Sequence, residues 1–188
     1  MSSIINQVKN KCEEIARRVR EKHTYRFGAI FYWDPIDSPG DKNEHYELSE
    51  DISKLKNSIS TQRAYGGGDE PDDWVGWYRL LHNNVGNKVI IIHIVDAPDH
   101  GKSWGGNCSG QDQDSLLGPL INKCATEGYY FRGLSINSTP QQSFPKIVSI
   151  IEKTNPKVRA SFSEFSSSDA TEHFQDFVLD SIDLVSMA

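Results

Sequence analysis

The sequence predicts an α/β domain of the doubly wound type, a mostly parallel sheet with helices on both faces. Three observations carry that prediction. The run Val89-Ile90-Ile91-Ile92-His93-Ile94-Val95 is apolar almost throughout, as strands buried on both faces of a parallel sheet are. Segments of helical and strand character alternate along most of the chain. Asp96 stands just past the apolar run, at the carboxyl end where open α/β sheets place their ligands.

The elements follow in order. Ile4, Ile5, Val8, Cys12, Ile15, Ala16 and Val19 share one face of an opening helix, with Arg17, Arg18 and Arg20 on the solvated side. Tyr25 to Trp33 is aromatic and β-branched, a strand stopped by Asp34-Pro35. Ile36 to Glu47 reads as a polar loop. Ser49 is the expected N-cap of a helix carrying Ile52, Leu55 and Ile59. Gly66-Gly67-Gly68-Asp69-Glu70-Pro71 breaks the chain, and Pro71 opens a helix striped with Trp74, Trp77, Tyr78, Leu81 and Val85.

Past the apolar strand, Gly101 to Gln111 is a glycine-rich loop. Leu116, Leu117, Leu120, Ile121 and Cys124 mark a helix ended by Gly128. Tyr129 to Ile136 is a strand. Thr139-Pro140-Gln141-Gln142 reads as a capping box for a helix with Phe144, Ile147, Val148 and Ile151. Lys157 to Phe165 is the last strand. Asp169-Ala170-Thr171-Glu172 caps a final helix lined by Phe174, Phe177, Val178 and Ile182. A doubly wound domain usually opens on a strand, whereas this sequence opens on a helix.

The 188 residues, with 37% hydrophobic and 24% charged, suit one domain, 1–188, with a real core. Neither a repeat nor an interdomain linker interrupts them. A net charge of -6 argues against a nucleic-acid footprint, which needs a basic stripe, and favours cations or basic partners. No stretch approaches the ~20 apolar residues of a membrane span, and the first residues lack signal-peptide character. Cys12, Cys108 and Cys124 lack C-x-x-C spacing and read as reduced thiols of an intracellular protein. The expected compartment is the cytoplasm, with the nucleus as the other choice.

Several residues carry chemistry. Asp96 follows an apolar strand, where an unpaired carboxylate is costly. It calls for a cation or for a turn of its own making. Asp69, Glu70, Asp72 and Asp73 crowd a helix start. Glu70, Asp72 and Asp73 read as charges complementing the helix dipole, and Asp69 as a site residue. Like charges there exclude a phosphate loop. His93 shares a strand face with Val95 and reads as a core histidine rather than a zinc ligand. Cys12 and Cys124 fall on apolar faces, as do Trp74, Trp77 and Tyr78. Two readings of Trp104 stand, an exposed contact residue near Asp96 or an indole folded inward by its own loop.

Three motifs in this order, Phe31-Tyr32-Trp33-Asp34-Pro35-Ile36-Asp37-Ser38-Pro39, Gly66 to Gly76, and Ile94-Val95-Asp96-Ala97-Pro98-Asp99-His100-Gly101, resemble von Willebrand factor A (vWFA) domains. The resemblance is to the intracellular subfamily associated with alpha-type protein kinases, and it covers essentially the whole chain. It implies a doubly wound sheet with a metal-ion-dependent adhesion site at its carboxyl edge, holding magnesium or another divalent cation. Asp96 matches the aspartate of that site's third loop, and Asp69 stands where a second-loop threonine is expected. Asp34 ends the neighbouring strand and would orient waters.

Met1 aligns with a methionine that follows the first Asp-x-Thr-Gly-Ser element of relatives. The resemblance therefore implies a domain incomplete at its amino end. Its missing first strand would be central, between the strands ending at Trp33 and Val95. The expected function is protein binding through a partner's acidic side chain, cation-dependent in intact homologues. A second reading makes the chain a regulatory or accessory region of an alpha-type serine/threonine kinase. A third, a metal-dependent hydrolase, lacks an identifiable nucleophile or base. Kinase motifs are absent, so an enzyme is not expected, and neither nucleic acid nor membrane is an expected partner.

Overall fold

The computed structural model describes residues 2–22, 25–32, 45–62, 73–82, 88–97, 99, 101–106, 111–137 and 142–186. In chain order the elements are α1 (Ser2–Lys22), β1 (Phe27–Ile30), β2 (His45–Ser49), α2 (Ile52–Thr61), α3 (Asp73–His82), β3 (Ile90–Val95), α4 (Gln111–Thr126), β4 (Tyr130–Ile136), α5 (Ser143–Thr154), β5 (Ala160–Phe165) and α6 (Ser167–Ser186). A 3-10 turn at Lys102–Trp104 lies between β3 and α4.

Strands β3, β4 and β5 form a parallel sheet in that order, flanked by helices. Each crossover is helical, as parallel pairing requires. Strand alternation divides the sheet's side chains between two cores. On one face Val95, Phe131 and the partly buried Ile91 meet Trp77 of α3, Leu117 and Ile121 of α4, and Phe144, Ile147 and Ile151 of α5. On the other, Ile90, Ile92, Ile94, Leu134 and Ile136 meet Ile15 and Val19 of α1 and Phe174, Phe177, Val178 and Ile182 of α6. The helical stripes legible in the sequence are the surfaces that cover this sheet. Gly133 lets α5 approach closely, since a Cβ there would stand 3.1 Å from three carbons of the Phe144 ring.

Two features differ from expectation. β1 pairs antiparallel with β2 in a separate two-stranded sheet. Residues 45–47 are thus strand where a polar loop was expected, because backbone pairing with β1 outweighs their weak apolar pattern. β3 is an edge of its sheet among the described residues, and Ile90, Ile91, Ile92 and Ile94 are only partly buried, against full burial of Leu134 and Ile136 in β4. The most apolar strand is therefore not the most buried one.

Local signals were displaced by a residue or two. Asp51 rather than Ser49 caps α2, its Oδ1 accepting from Ser53 N at 2.9 Å, while Ser49 Oγ accepts from Asp51 N. α6 begins before the expected cap. Ser166 Oγ accepts from Asp169 N at 3.1 Å and donates to Asp169 Oδ2 at 2.7 Å, so the Ser166 side chain satisfies one of the helix's first-turn donors. α5 starts at Ser143, and residues 139–141 of its expected capping box lie outside the described ones. Pro71 lies outside them too. Tyr78, expected in the core, is 44% exposed and stacks on His82 with ring centroids 3.9 Å apart.

Candidate functional site

The carboxyl end of β3 gathers residues from four parts of the chain. Asp96, partly exposed, follows Val95 directly. The chain then turns through Asp99, which bridges to Gly105. Gly101 and Gly105 have φ of 104° and 102°, a region that side chains with a Cβ rarely enter. Trp104 N donates to Gly101 O at 2.9 Å, closing the turn.

This loop is held against the start of α5. Ser143 Oγ donates to Trp104 O at 2.6 Å and Lys146 Nζ to Ser103 O at 2.8 Å. The Lys146 ammonium also lies 3.9 Å from the centroid of the Trp104 ring. Trp104 is 1% exposed, so of its two readings the inward one describes the structure. The competing expectation of an exposed contact is corrected by the cation and hydroxyl that fasten its loop.

Beneath the loop lies a buried polar cluster. Tyr32 Oη, just past β1, stands 2.5 Å from His93 Nε2 on β3, and His93 Nε2 is 3.3 Å from Asp73 Oδ2 at the start of α3. Asp73 and Asp99 are each 1% exposed. Burial pushes the Asp99 carboxyl well above the carboxylate range, and the charge of Asp73 adds to the shift, because two like charges in one dry site resist joint ionisation. Burial drives His93 down to about 4, with Asp99 opposing, so the ring is neutral at pH 7. The Tyr32 hydroxyl is raised well above its ordinary value by burial, then by Asp73, Asp99 and Asp96. Burial thus favours the protonated forms of Tyr32 and Asp99.

Asp96 is the sequence-predicted site residue that this arrangement contains. Asp34 and Asp69 lie outside the described residues, as do His100 and Cys108. His93 lies with Val95 on the face packed against Trp77, Phe131 and Phe144. Cys124 is buried in the same core, its thiol pushed up to about 12 by burial, which leaves it without thiolate reactivity.

Sequence reasoning missed Asp73 and Asp99. Asp73 sits one turn before Trp77 on the apolar stripe of α3, and that spacing was the available signal. Its type and position suggested a dipole-complementing surface charge instead. Asp99 left no periodic trace, because a loop carries none.

Magnesium needs about six oxygens, although it retains several waters. Among the described residues no group of three or more His, Cys, Asp or Glu side chains is arranged to hold a metal. Asp96 contributes one partly exposed carboxylate, while Asp99 is enclosed and disposed to keep its proton. The described residues do not amount to a cation site by themselves.

Comparison with known proteins finds one curated relative of note. The chain is similar to the alpha-protein kinase vwkA of Dictyostelium discoideum, at 25% identity over 186 residues covering 92% of this chain and 28% of that protein. The chain thus spans under a third of the relative's length. No family profile matches it. No helix among the described residues is long and apolar enough to cross a membrane.

Proposed function

We propose that this chain is a vWFA-like protein-binding module and an accessory, non-catalytic region of the alpha-type kinase class. The observation that carries the reading is the likeness to a kinase along 92% of this chain but only 28% of that kinase. A segment of that size leaves most of the relative, and room for a catalytic domain, elsewhere. The three motifs that resemble vWFA domains, and Asp96 at the carboxyl edge of a parallel sheet, support the same reading.

In this proposal the two sheets are halves of one doubly wound sheet. The central place between β1 and β3 belongs to a strand that the described residues do not supply. The partly exposed isoleucines of β3 support this, since a strand paired there would cover them. Asp96, with Asp69 beside it and Asp34 orienting waters, would face a divalent cation in an intact homologue, and a partner's acidic side chain would complete its coordination. The compartment proposed is the cytoplasm.

The test is affinity capture with this chain joined to the first strand of an intact homologue, with and without Asp96→Ala, each in magnesium and in EDTA. Capture of a partner that is lost in EDTA and lost on substitution supports the reading. Capture indifferent to both changes overturns cation-dependent binding. Transfer of phosphate to a generic protein substrate should stay at background, and turnover above it would refute the non-catalytic assignment.

A further inference from the structure

At the opposite, amino-terminal edge of the sheet lies a pocket of about 480 Å³, lined by Tyr130, Arg132, Ser161, Ser181, Arg159 and Glu152 among others. Arg132 is the third residue of β4 and pairs in register with Ser161 of β5. Its guanidinium packs over the Phe177 ring at 5.1 Å from the centroid. Arg132 Nε donates to Ser181 Oγ at 3.3 Å, and Nη1 donates to Ser161 Oγ.

The two serines differ in what they leave over. Ser181 spends its own hydrogen on Phe177 O at 2.5 Å, so it serves to aim the guanidinium. Ser161 accepts from Arg132, and its hydroxyl hydrogen has no acceptor among the described residues. Arg132 Nη2 has none there either. A half-buried guanidinium is ordinarily neutralised by a carboxylate. Here no carboxylate of the described residues pairs with it, and Asp180 acts only from a distance.

More positive charge surrounds the opening. Arg159 stands exposed on the lining just before β5. Lys88, just before β3, lies 6.0 Å from the centroid of the Tyr130 ring that lines the pocket. Glu152 is the one acid of the lining. The chain as a whole carries -6, so a basic focus of this kind is local and not an average property.

We propose that this pocket binds a phosphate monoester dianion, with Arg132 Nη2 and the Ser161 hydroxyl donating to its oxygens and Arg159 closing over it. Two arginines and a lysine around one opening suit a dianion better than a singly charged carboxylate. The site is separate from the carboxyl edge and does not depend on cation binding there.

The test uses the full chain and calorimetric titration with inorganic phosphate, a phosphoserine peptide, its unphosphorylated form and sodium acetate, all at matched ionic strength. Saturable binding of phosphate or of the phosphopeptide, and not of acetate or the plain peptide, is expected. Arg132→Met should weaken it by about tenfold or more, as loss of a charge-assisted pair would. Ser161→Ala should weaken it by about threefold, and Glu152→Gln should strengthen it by removing the opposing charge.

Tighter binding of the phosphopeptide identifies a protein-borne phosphate, and equal binding identifies the free anion. Should Arg132→Met fail to fold, the opposite effects of Ser161→Ala and Glu152→Gln still decide the matter. Absence of saturable phosphate binding in the wild type overturns the proposal. So does unchanged binding in a folded Arg132→Met, or in both of the other variants.

Discussion

The Tyr32 hydroxyl stands 2.5 Å from His93 Nε2 and so ties the end of β1 to the middle of β3. The sheets to which these strands belong share no strand pairing among the described residues. A side-chain contact does there what a backbone ladder does elsewhere in the fold. Asp73, at the start of α3, stands against the same ring nitrogen.

Tyr32→Phe removes that contact while keeping the ring. It leaves His93 Nε2 enclosed without its closest partner, a loss of roughly 1–3 kcal/mol. Urea denaturation at pH 7 measures it. A change too small to resolve would mean that the phenol contributes nothing to joining the two sheets.

Stability should depend on pH through two opposing groups. His93 has a folded value of about 4 against an ordinary value near 6.5. The unfolded chain therefore binds more protons in that window, and stability falls as pH drops through it, by about 3 kcal/mol in all. Asp99 is shifted the other way. Its contribution is full below the unfolded carboxyl value and is lost as pH rises through the folded one. Asp99→Asn removes the second effect together with the upward pull of Asp99 on His93, and both changes make the variant gain on the wild type as pH is raised from about 4 to about 8. Denaturation midpoints across that range test this, and a constant difference at every pH would contradict it.

Neighbours on α3 should respond very differently to truncation. Trp77 is 4% exposed, and its ring stacks on Phe131 at 5.7 Å between centroids. Trp77→Ala should cost about 3–5 kcal/mol. Tyr78→Ala, on the exposed side, should stay within about 0.5 kcal/mol. Thermal unfolding of the two variants makes the comparison, and similar losses in both would contradict the inward orientation assigned to Trp77 alone.

Much of the fold was legible because periodicity reports which face of an element is covered. Ile15 and Val19, Leu117 and Ile121, and Phe174 and Val178 were placed on their stripes by spacing alone, and they are buried on those stripes. β2 was not legible, since its strand state comes from a partner and not from its own pattern. Tyr78 was misread because an aromatic ring at the edge of a stripe satisfies the spacing without being enclosed. In the candidate site, Asp96 was visible as an acid ending an apolar strand, whereas Asp73 and Asp99 looked like ordinary helix-start and loop acids.

The sequence by itself determined the alternation of helices and strands, the two faces of the sheet and the position of Asp96 at its carboxyl edge. These follow from local backbone preference and the spacing of apolar side chains. Only the tertiary structure decided that Tyr32, Asp73, His93 and Asp99 meet, and that Arg132 lies between two serines with no carboxylate of the described residues paired to it. Residues so far apart along the chain are brought together by strand register and helix packing, and no periodicity within a single segment encodes either.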